Sequence, residues 1–260
     1  MVTSTGMMSI IAEKIGSIQM TEIELVIKPE NAHELARVLT EVWGGADPIP
    51  PDVIIAIVHA GGYASLASQI VNGEKQFVGG SLAIVGNHQR KLHSHVTGVI
   101  DAATNTGVGR TLKDHQWLWA KENEFSAISW TFDPLVRRNA HFNLIVLGAK
   151  VVKYCQNYYG EIDDSINAGD QTDRLVVERQ VDGLSVAPSR STCFARDGDL
   201  IIPTPADIVE LRNTDRKTAS KLRLEQRSSF ESAFANSFSV QGLTDDGSFV
   251  MRHQTRLASR

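Results

Sequence analysis

The stretch Val99-Ile100-Asp101-Ala102-Ala103-Thr104-Asn105-Thr106-Gly107-Val108-Gly109-Arg110-Thr111-Leu112-Lys113 reads as a strand that passes through a glycine-bearing turn into a helix. Such a junction is an anion site. Backbone N–H groups and the positive end of the helix dipole converge there, and glycine lets a phosphate come close to the main chain. The same Gly-x-Gly also serves a plain tight turn into a helix. It is neither a P-loop, which needs Gly-x-x-x-x-Gly-Lys-Ser/Thr, nor the dinucleotide fingerprint Gly-x-Gly-x-x-Gly. The amides of Asn105, Thr106, Gly107, Val108, Gly109 and Arg110 are the candidate donors, and the side chains of Arg110 or Lys113 are candidate sources of positive charge.

Other residues could move protons. His93 and His95 lie two apart on one expected strand, so they should share a face, and an imidazole suits an ammonium proton near neutral pH. A strand histidine is equally at home as a structural residue, and spacing places no third ligand that would make a metal site. Asp133, just after a strand, could orient an amine or take its proton, or it could cap the turn before Pro134. Asn139 and Asn143 fall at i, i+4 on one helix face; Asn139 also reads as a cap, whereas Asn143 in mid-helix is better explained by a ligand contact. Arg137-Arg138 could meet a carboxylate or phosphate or be a solvated pair. Tyr158-Tyr159 and the long acidic connection from Glu161 to Asp173 either shape an acceptor pocket or form a dimer contact or ordered loop. Cys155 and Cys193 stand alone, which argues against a disulfide framework, a cysteine zinc site or a covalent route.

The elements that must position these groups follow from periodicity and turn signals. A strand from Met20 to Lys28 precedes a helix capped by Asn31, with Leu35, Val38, Leu39 and Val42 on its buried face, ending at Gly44-Gly45. Asp52 opens a short apolar helix that ends at Gly61-Gly62. Strands Tyr63 to Val71, Gln76 to Val85 and Lys91 to Ile100, parted by Asn72-Gly73-Glu74 and Gly86-Asn87, form an antiparallel meander. A helix from Gly107 to about Glu122 follows, with Leu112, Trp117 or Gln116, and Trp119-Ala120 as its buried stripe. Then come a strand Ala127 to Phe132, a helix Asn139 to Leu147, and strands Ala149 to Tyr154 and Asp173 to Val181. Beyond Pro188 a connector leads to a second block: a strand Leu200 to Ile202, helices Pro205 to Leu211 and Thr214 to Ala235, and a hairpin Ser237 to Leu243 with Ser248 to Arg252. The fold class is α/β (α+β), a mixed, mostly antiparallel sheet flanked by helices with a C-terminal α/β extension. The expected division is a loosely ordered leader at 1–16, a main domain at 17–187 and the extension at 188–260.

Composition narrows the function classes. Hydrophobic residues make up 42% of the 260 and charged residues 22%, which excludes wholesale disorder. A formal net charge of −4 supplies no basic field for a nucleic-acid partner. No apolar run has membrane-span length and the start lacks a signal peptide's basic and apolar regions, so a cytoplasmic setting is expected.

With the elements in place, the turn resembles motif A of the GNAT superfamily of acyl-CoA-dependent N-acyltransferases. In that motif a strand ending at Val is followed by Arg/Gln-x-x-Gly-x-Gly/Ala at the start of a helix. Here Thr104-Asn105-Thr106-Gly107-Val108-Gly109 occupies the signature, with Thr104 at its Arg/Gln position and without the family's Pro near Asp101. The likeness continues through Trp130 to Leu135, Arg138 to Asn143, Leu147 to Ala149, Asn157 to Gly160, Asn167 to Asp170 and Asp173 to Leu175, covering roughly residues 20 to 181. These stretches look like a branch some of whose members are associated with N-acylation of amino acids, including N-succinylation.

The resemblance implies a GNAT fold, acetyl-CoA or succinyl-CoA as cosubstrate, no metal, and a small-molecule amine as acceptor, in a homodimer. It implies CoA contacts from Val99, Ile100, Thr104 to Arg110, Asn139 and Asn143, and catalytic roles for His93, His95 and Asp133. Transfer would be by direct attack, with a backbone N–H near Val99 on the carbonyl oxygen. Leu144 stands where many members have a Tyr that protonates the leaving thiolate, so another group serves or none is needed. Thr104 and Leu144 together also fit a non-catalytic CoA-binding or regulatory module of the same fold.

Overall fold

The computed structural model describes residues 20–44, 49–86, 90–160, 170–181 and 191–254. The leader, Gly45, Asn87, residues 161–169 of the long connection and the connector at 188–190 lie outside them. The chain runs β1 (Glu22–Leu25), α1 (Pro29–Trp43), α2 (Pro51–His59), β2 (Tyr63–Val71), β3 (Glu74–Val85), β4 (Lys91–Val99), a 3-10 turn (Asp101–Ala103), α3 (Val108–Glu122) and β5 (Ala127–Phe132). It continues through α4 (Arg137–His141), which runs into a π turn (Phe142–Val146), then β6 (Lys150–Cys155) and β7 (Arg174–Gln180). The C-terminal part holds β8 (Leu200–Ile202), α5 (Ile208–Thr214), α6 (Arg216–Ala235), β9 (Phe238–Leu243) and β10 (Phe249–His253).

Seven strands form one sheet in the order β1-β2-β3-β4-β5-β7-β6, and β8-β10-β9 form a second. Among the described residues only the β4–β5 pair is parallel; the other ladders are antiparallel. The expected order of elements holds, with β1 shorter than its expected Met20 to Lys28, β3 starting two residues early at Glu74, α5 displaced to Ile208–Thr214 from the expected Pro205 to Leu211, and other helix starts shifted. Pro29 and Pro51 take the first helical positions, where a preset φ helps and a missing N–H costs nothing, so both helices begin ahead of their expected polar caps. Asn31 is not a cap; its amide donates to Glu24 Oε1 at 3.1 Å. Helix α4 begins at Arg137 rather than Asn139. It then widens because Asn143 Nδ2 donates to Asn139 O at 2.8 Å, and the backbone shifts register so that Leu147 N–H donates to Phe142 O at 2.9 Å.

Two layers cover the sheet. On one face α1 and α2 bring Leu35, Val38, Leu39 and Ile54 against Leu66 and Leu82. On the other, Trp117 and Ala120 of α3 meet Leu92, Ile128, Trp130 and Val177, and this cluster runs on without a break into Phe230, Leu243, Phe249 and Met251. The extension therefore shares the main core rather than building its own.

Charge completes the docking. Asp133, at the end of β5, accepts from Arg223 Nη1 at 2.8 Å and Nη2 at 2.7 Å, and from Arg212 Nη2 at 2.6 Å; Asp170 accepts from the same two arginines at 3.0 Å. Both arginines are 2% exposed by side chain, so each depends on these carboxylates for its partner. Burial alone would raise the Asp133 pKa, but the charge and hydrogen bonds of Arg223, with Arg212 and Arg174, outweigh it and hold the carboxyl well below the usual range. Its contribution to stability is thus complete above the ordinary carboxylate pKa and is lost only as pH falls from there through the depressed value. Asp133→Asn leaves buried arginines facing a neutral amide and is expected to cost about 3–5 kcal/mol in urea unfolding at neutral pH. A loss under about 1 kcal/mol would show that the extension is held by its apolar contacts alone.

Candidate active site

The parallel β4–β5 ladder is short. It pairs Lys91 with Ala127, Leu92 with Ile128 and His93 with Ser129, and then stops. The remainder of β4 stays on β3 as far as Gly79↔Val99, while the remainder of β5 stays on β7 as far as Phe132↔Leu175. The two strands part beyond His93 and Ser129 and leave a wedge in the middle of the sheet. Ser94 and Trp130 are the first residues past the apex.

At the wide end, Val99 closes β4. Ile100 N–H donates to Val78 O of β3 at 3.0 Å, so by strand alternation the N–H of Val99 points the other way, to the side that β5 has left. The chain then makes its 3-10 turn, passes through Asn105 with φ 61° and Gly107 with φ 92°, and enters α3. Thr104 Oγ1 and Thr106 Oγ1 bond back to Asp101 O at 2.8 Å and Ala103 O at 2.6 Å. They tighten the turn and are not spent on the helix. Gly107 is the N-cap, no side chain caps α3, and its first turn carries no acidic residue. The first-turn N–H groups have no intrahelical acceptors and face the exposed turn.

The two glycines do different work. A Cβ on Gly107 would meet nothing within 4 Å, yet its left-handed φ disfavours any side chain. A Cβ on Gly109 would stand 3.6 Å from Phe142 Cζ and 3.7 Å from Val99 Cγ2, between the end of β4 and the π turn, at the mouth of the wedge.

The apex is lined from both faces. Opposite Leu82 and Ala83 the register slips: Leu82 pairs with Val96 and Ala83 with Ser94, so His95 is the extra residue of a β-bulge. The simple alternation expected for His93 and His95 is broken, although their rings remain 6.4 Å apart. His93 is half-buried and pairs with Ile84, and His95 is exposed. Burial, then His95 and Lys113, push the His93 pKa down, so its neutral form persists below the ordinary imidazole range.

From the α3 side comes Lys113. Its Nζ donates to Ser94 Oγ at 2.8 Å and to Gln116 Oε1 at 3.3 Å, and it lies 4.1 Å from the centroid of the Trp130 ring. Gln116 continues the network to Ser81 Oγ at 3.0 Å, and Ser81 to Thr97 Oγ1 at 2.8 Å. Burial, with repulsion from Arg179, pushes Lys113 down to about 7.

Several sequence expectations change here. Lys113 does not serve the glycine turn, because it is 6% exposed and turned under the sheet. Arg110 is partly exposed and pairs with Asp114 at 3.3 Å. Asp133 is a poor proton acceptor, since Arg223 and Arg212 occupy its oxygens and hold its carboxyl well below the usual range, while its Oδ1 also takes Leu135 N–H at 2.9 Å, the turn role open to it before Pro134. Asn143 is not aimed at a ligand: its Oδ1 takes Trp130 Nε1 at 2.6 Å and its amide bonds Asn139 O. Asn139 is half-buried and lies inside α4 rather than at its cap. Arg137 donates to Thr204 O of the C-terminal part. Leu144 is 3% exposed within the core. Tyr159 reaches Thr131 Oγ1 at 2.9 Å, beside the open face of β5. Among the described residues no three His, Cys, Asp or Glu are grouped to hold a metal, and no helix is long and apolar enough to cross a membrane.

No family model matches the sequence, and no curated protein sequence matches it. The architecture does match solved structures. A protein of Acinetobacter baylyi ADP1 assigned as an acetyltransferase aligns at a TM-score of 0.53 and 13% identity, covering 68% of this chain and 100% of that one. A Salmonella typhimurium protein likewise assigned, solved with its cofactor acetyl-CoA, aligns at 0.50 and 13%, covering 65% and 98%. A Desulfovibrio desulfuricans protein assigned to the GNAT family aligns at 0.47 and 13%, covering 62% and 99%. The chain has the GNAT fold.

Within this GNAT fold the burial of Lys113 is the feature that the sequence reading missed, having assigned its charge to the glycine turn. The signal was present: Lys113 and Gln116 are one turn apart on the same helix face as Leu112 and Ala120, so a polar pair was already committed to the buried stripe. Lys113→Met should be tolerated, since it removes a cation buried against neutral groups. In the wild type, the unfolded chain binds one more proton than the folded one between pH about 7 and the ordinary lysine value, so the stability penalty is full below that window and fades through it. The melting temperature of Lys113→Met is therefore expected to exceed that of the wild type by more at pH 6 than at pH 9. Equal differences at both pH values would mean that the lysine is not desolvated.

Proposed function

We propose that the chain transfers an acyl group, acetyl or succinyl, from acyl-CoA to the primary amine of a small molecule by direct attack. The observation that carries this reading is the parting of β4 and β5 next to a helix whose glycine N-terminus no side chain caps. An anion site and a slot for an extended chain thereby share one mouth.

The residues suit the ligand. The turn from Asn105 to Arg110 presents backbone to a pyrophosphate, and Gly107 leaves open space where a side chain would stand. Val99 N–H faces the slot and suits a pantetheine amide, which moves it from the carbonyl role expected of it to the arm. Acyl-CoA, when bound, supplies the activated thioester. His93, at the apex and disposed to be neutral, takes the proton of the attacking amine. Tyr159 and Thr131 border the face from which that amine would approach. A net charge of −4 favours a small acceptor over nucleic acid. A cytoplasmic homodimer belongs to the same reading.

Acetyl-CoA or succinyl-CoA is expected to raise the melting temperature, because a ligand that binds only the folded state stabilises it by mass action. No rise with either at millimolar concentration would sink the reading. Gly109→Ala separates the slot from the fold: its methyl meets only ordinary contacts, so the melting point should hold, while calorimetry should show CoA binding weakened about tenfold or more. Gly107→Val, by contrast, should lower the melting point itself, since a β-branched residue at positive φ is strained by about 1–2 kcal/mol.

A further inference from the structure

We infer that Lys113 is the proton donor to the departing CoA thiolate, a role that rests on the acyl-transfer reading above. Its ammonium touches Ser94 and Trp130, the first residue of each strand beyond the last pair, His93↔Ser129. It therefore marks the apex of the wedge from the α3 side, opposite the face of His93. An arm that enters at Val99 and follows β4 back past the bulge to Ser94 runs alongside the four steps of β3 from Gly79 to Ala83, about 13 Å at about 3.3 Å per residue. An extended pantetheine laid along that edge would bring its sulfur to the apex that Lys113 marks.

Among the described residues the setting of this lysine differs from that of the other buried cations, including Arg174, which lies 3.9 Å from Asp133. Arg212 and Arg223 sit on Asp133 and Asp170, and Arg179 sits on Asp114 at 3.2 Å. Lys113 has only a hydroxyl, an amide oxygen and a ring, and no carboxylate partner among the described residues. A buried cation left with neutral partners is costly, and an anion arriving beside it offsets that cost. The thiolate is the anion that this reaction generates at the apex. The charged and titratable groups facing Lys113 are Arg179 of β7, itself held by Asp114 of α3, and His93 of β4 with His95 beside it. Burial first, and then the charge of Arg179, bring Lys113 down to about 7. Leu144 offers no proton from α4's side.

The step balances. The amine nitrogen forms the new C–N bond and loses a proton to His93. The C–S bond breaks, its electron pair stays on sulfur, and Lys113 Nζ–H protonates that sulfur to give the free thiol. Return of one proton from His93 to Lys113 through solvent restores both residues.

The test is the titration of the CoA thiol bound to the full chain, read from thiolate ultraviolet absorbance against the complex with desulfo-CoA, which has no thiol. Wild type, Lys113→Met and Lys113→Gln are compared, the glutamine keeping a hydrogen-bond donor without the charge. Both variants are expected to bind CoA and to raise the bound thiol's pKa by about one unit or more, because in the wild type the forming thiolate draws a proton onto Lys113 and neither variant can hold that charge beside it. A bound thiol that titrates alike in all three overturns the inference. Calorimetry on the same samples separates the two levels: a wild type that binds no CoA overturns the acyl-transfer reading and this role with it, whereas binding with an unmoved thiol overturns this role alone.

Discussion

Backbone N–H and C=O groups must find partners, and the parting of β4 from β5 takes that option away in the middle of a sheet. Much of the structure answers this one constraint. Each strand keeps its outer neighbour, β3 or β7, so the wedge opens without unravelling either half. What remains are inner edges whose backbone groups face each other across a gap too wide for a ladder. An extended amide-bearing chain is the natural guest for such a gap, because it presents the same donors and acceptors as a missing strand.

Holding the wedge open takes packing on one side and charge on the other. On the α3 face, Trp130 is pinned by Asn143 and overlaid by Lys113, so the first residue of the parted β5 is fixed from both helices. The π turn belongs to the same arrangement. The Asn143 side chain occupies Asn139 O while its oxygen holds Trp130, and the widened backbone sets Phe142 beside Gly109 at the mouth. At the far end of β5, Asp133 is locked between arginines of α5 and α6. The C-terminal part is thus a brace for the strand that departs, which is why it shares the main core.

The division of labour around the apex follows from the two faces of the sheet. His93 lies on the face opposite the one from which Lys113 of α3 reaches Ser94, and the charge of Lys113 lowers the affinity of His93 for a proton. Under the proposed acyl transfer, one group that prefers to be neutral and one that gives up a proton near neutrality would serve as base and acid. Sheet geometry permits this because neighbouring residues His93 and Ser94 point to opposite sides, and Ser94 carries the lysine.

The sequence alone determined the elements and the glycine turn. Periodicity distinguishes strands from helices, and Gly107 and Gly109 announce a junction whose physics is local. Strands Tyr63–Val71 and Ala127–Phe132 came out at their expected bounds because their patterns and turns are short-range. Helix starts at Pro29 and Pro51 were legible in principle, since proline's preference for the first turn needs no tertiary contact. Tertiary structure alone decided the rest. Nothing near Asp133 in the sequence shows Arg212 and Arg223, which lie on helices far along the chain, so its ion pairs were not legible, whereas the turn role before Pro134 was, and its Oδ1 accepts from Leu135 N–H at 2.9 Å. Asn143 looked like a ligand contact for the same reason, its partner Trp130 being on another element. The bulge at His95 is a property of register, and register exists only between two strands. Lys113 is the sharpest case: its place on the buried stripe is written in the helix, but that it meets no carboxylate depends on which strands close over it, and those are chosen by the fold.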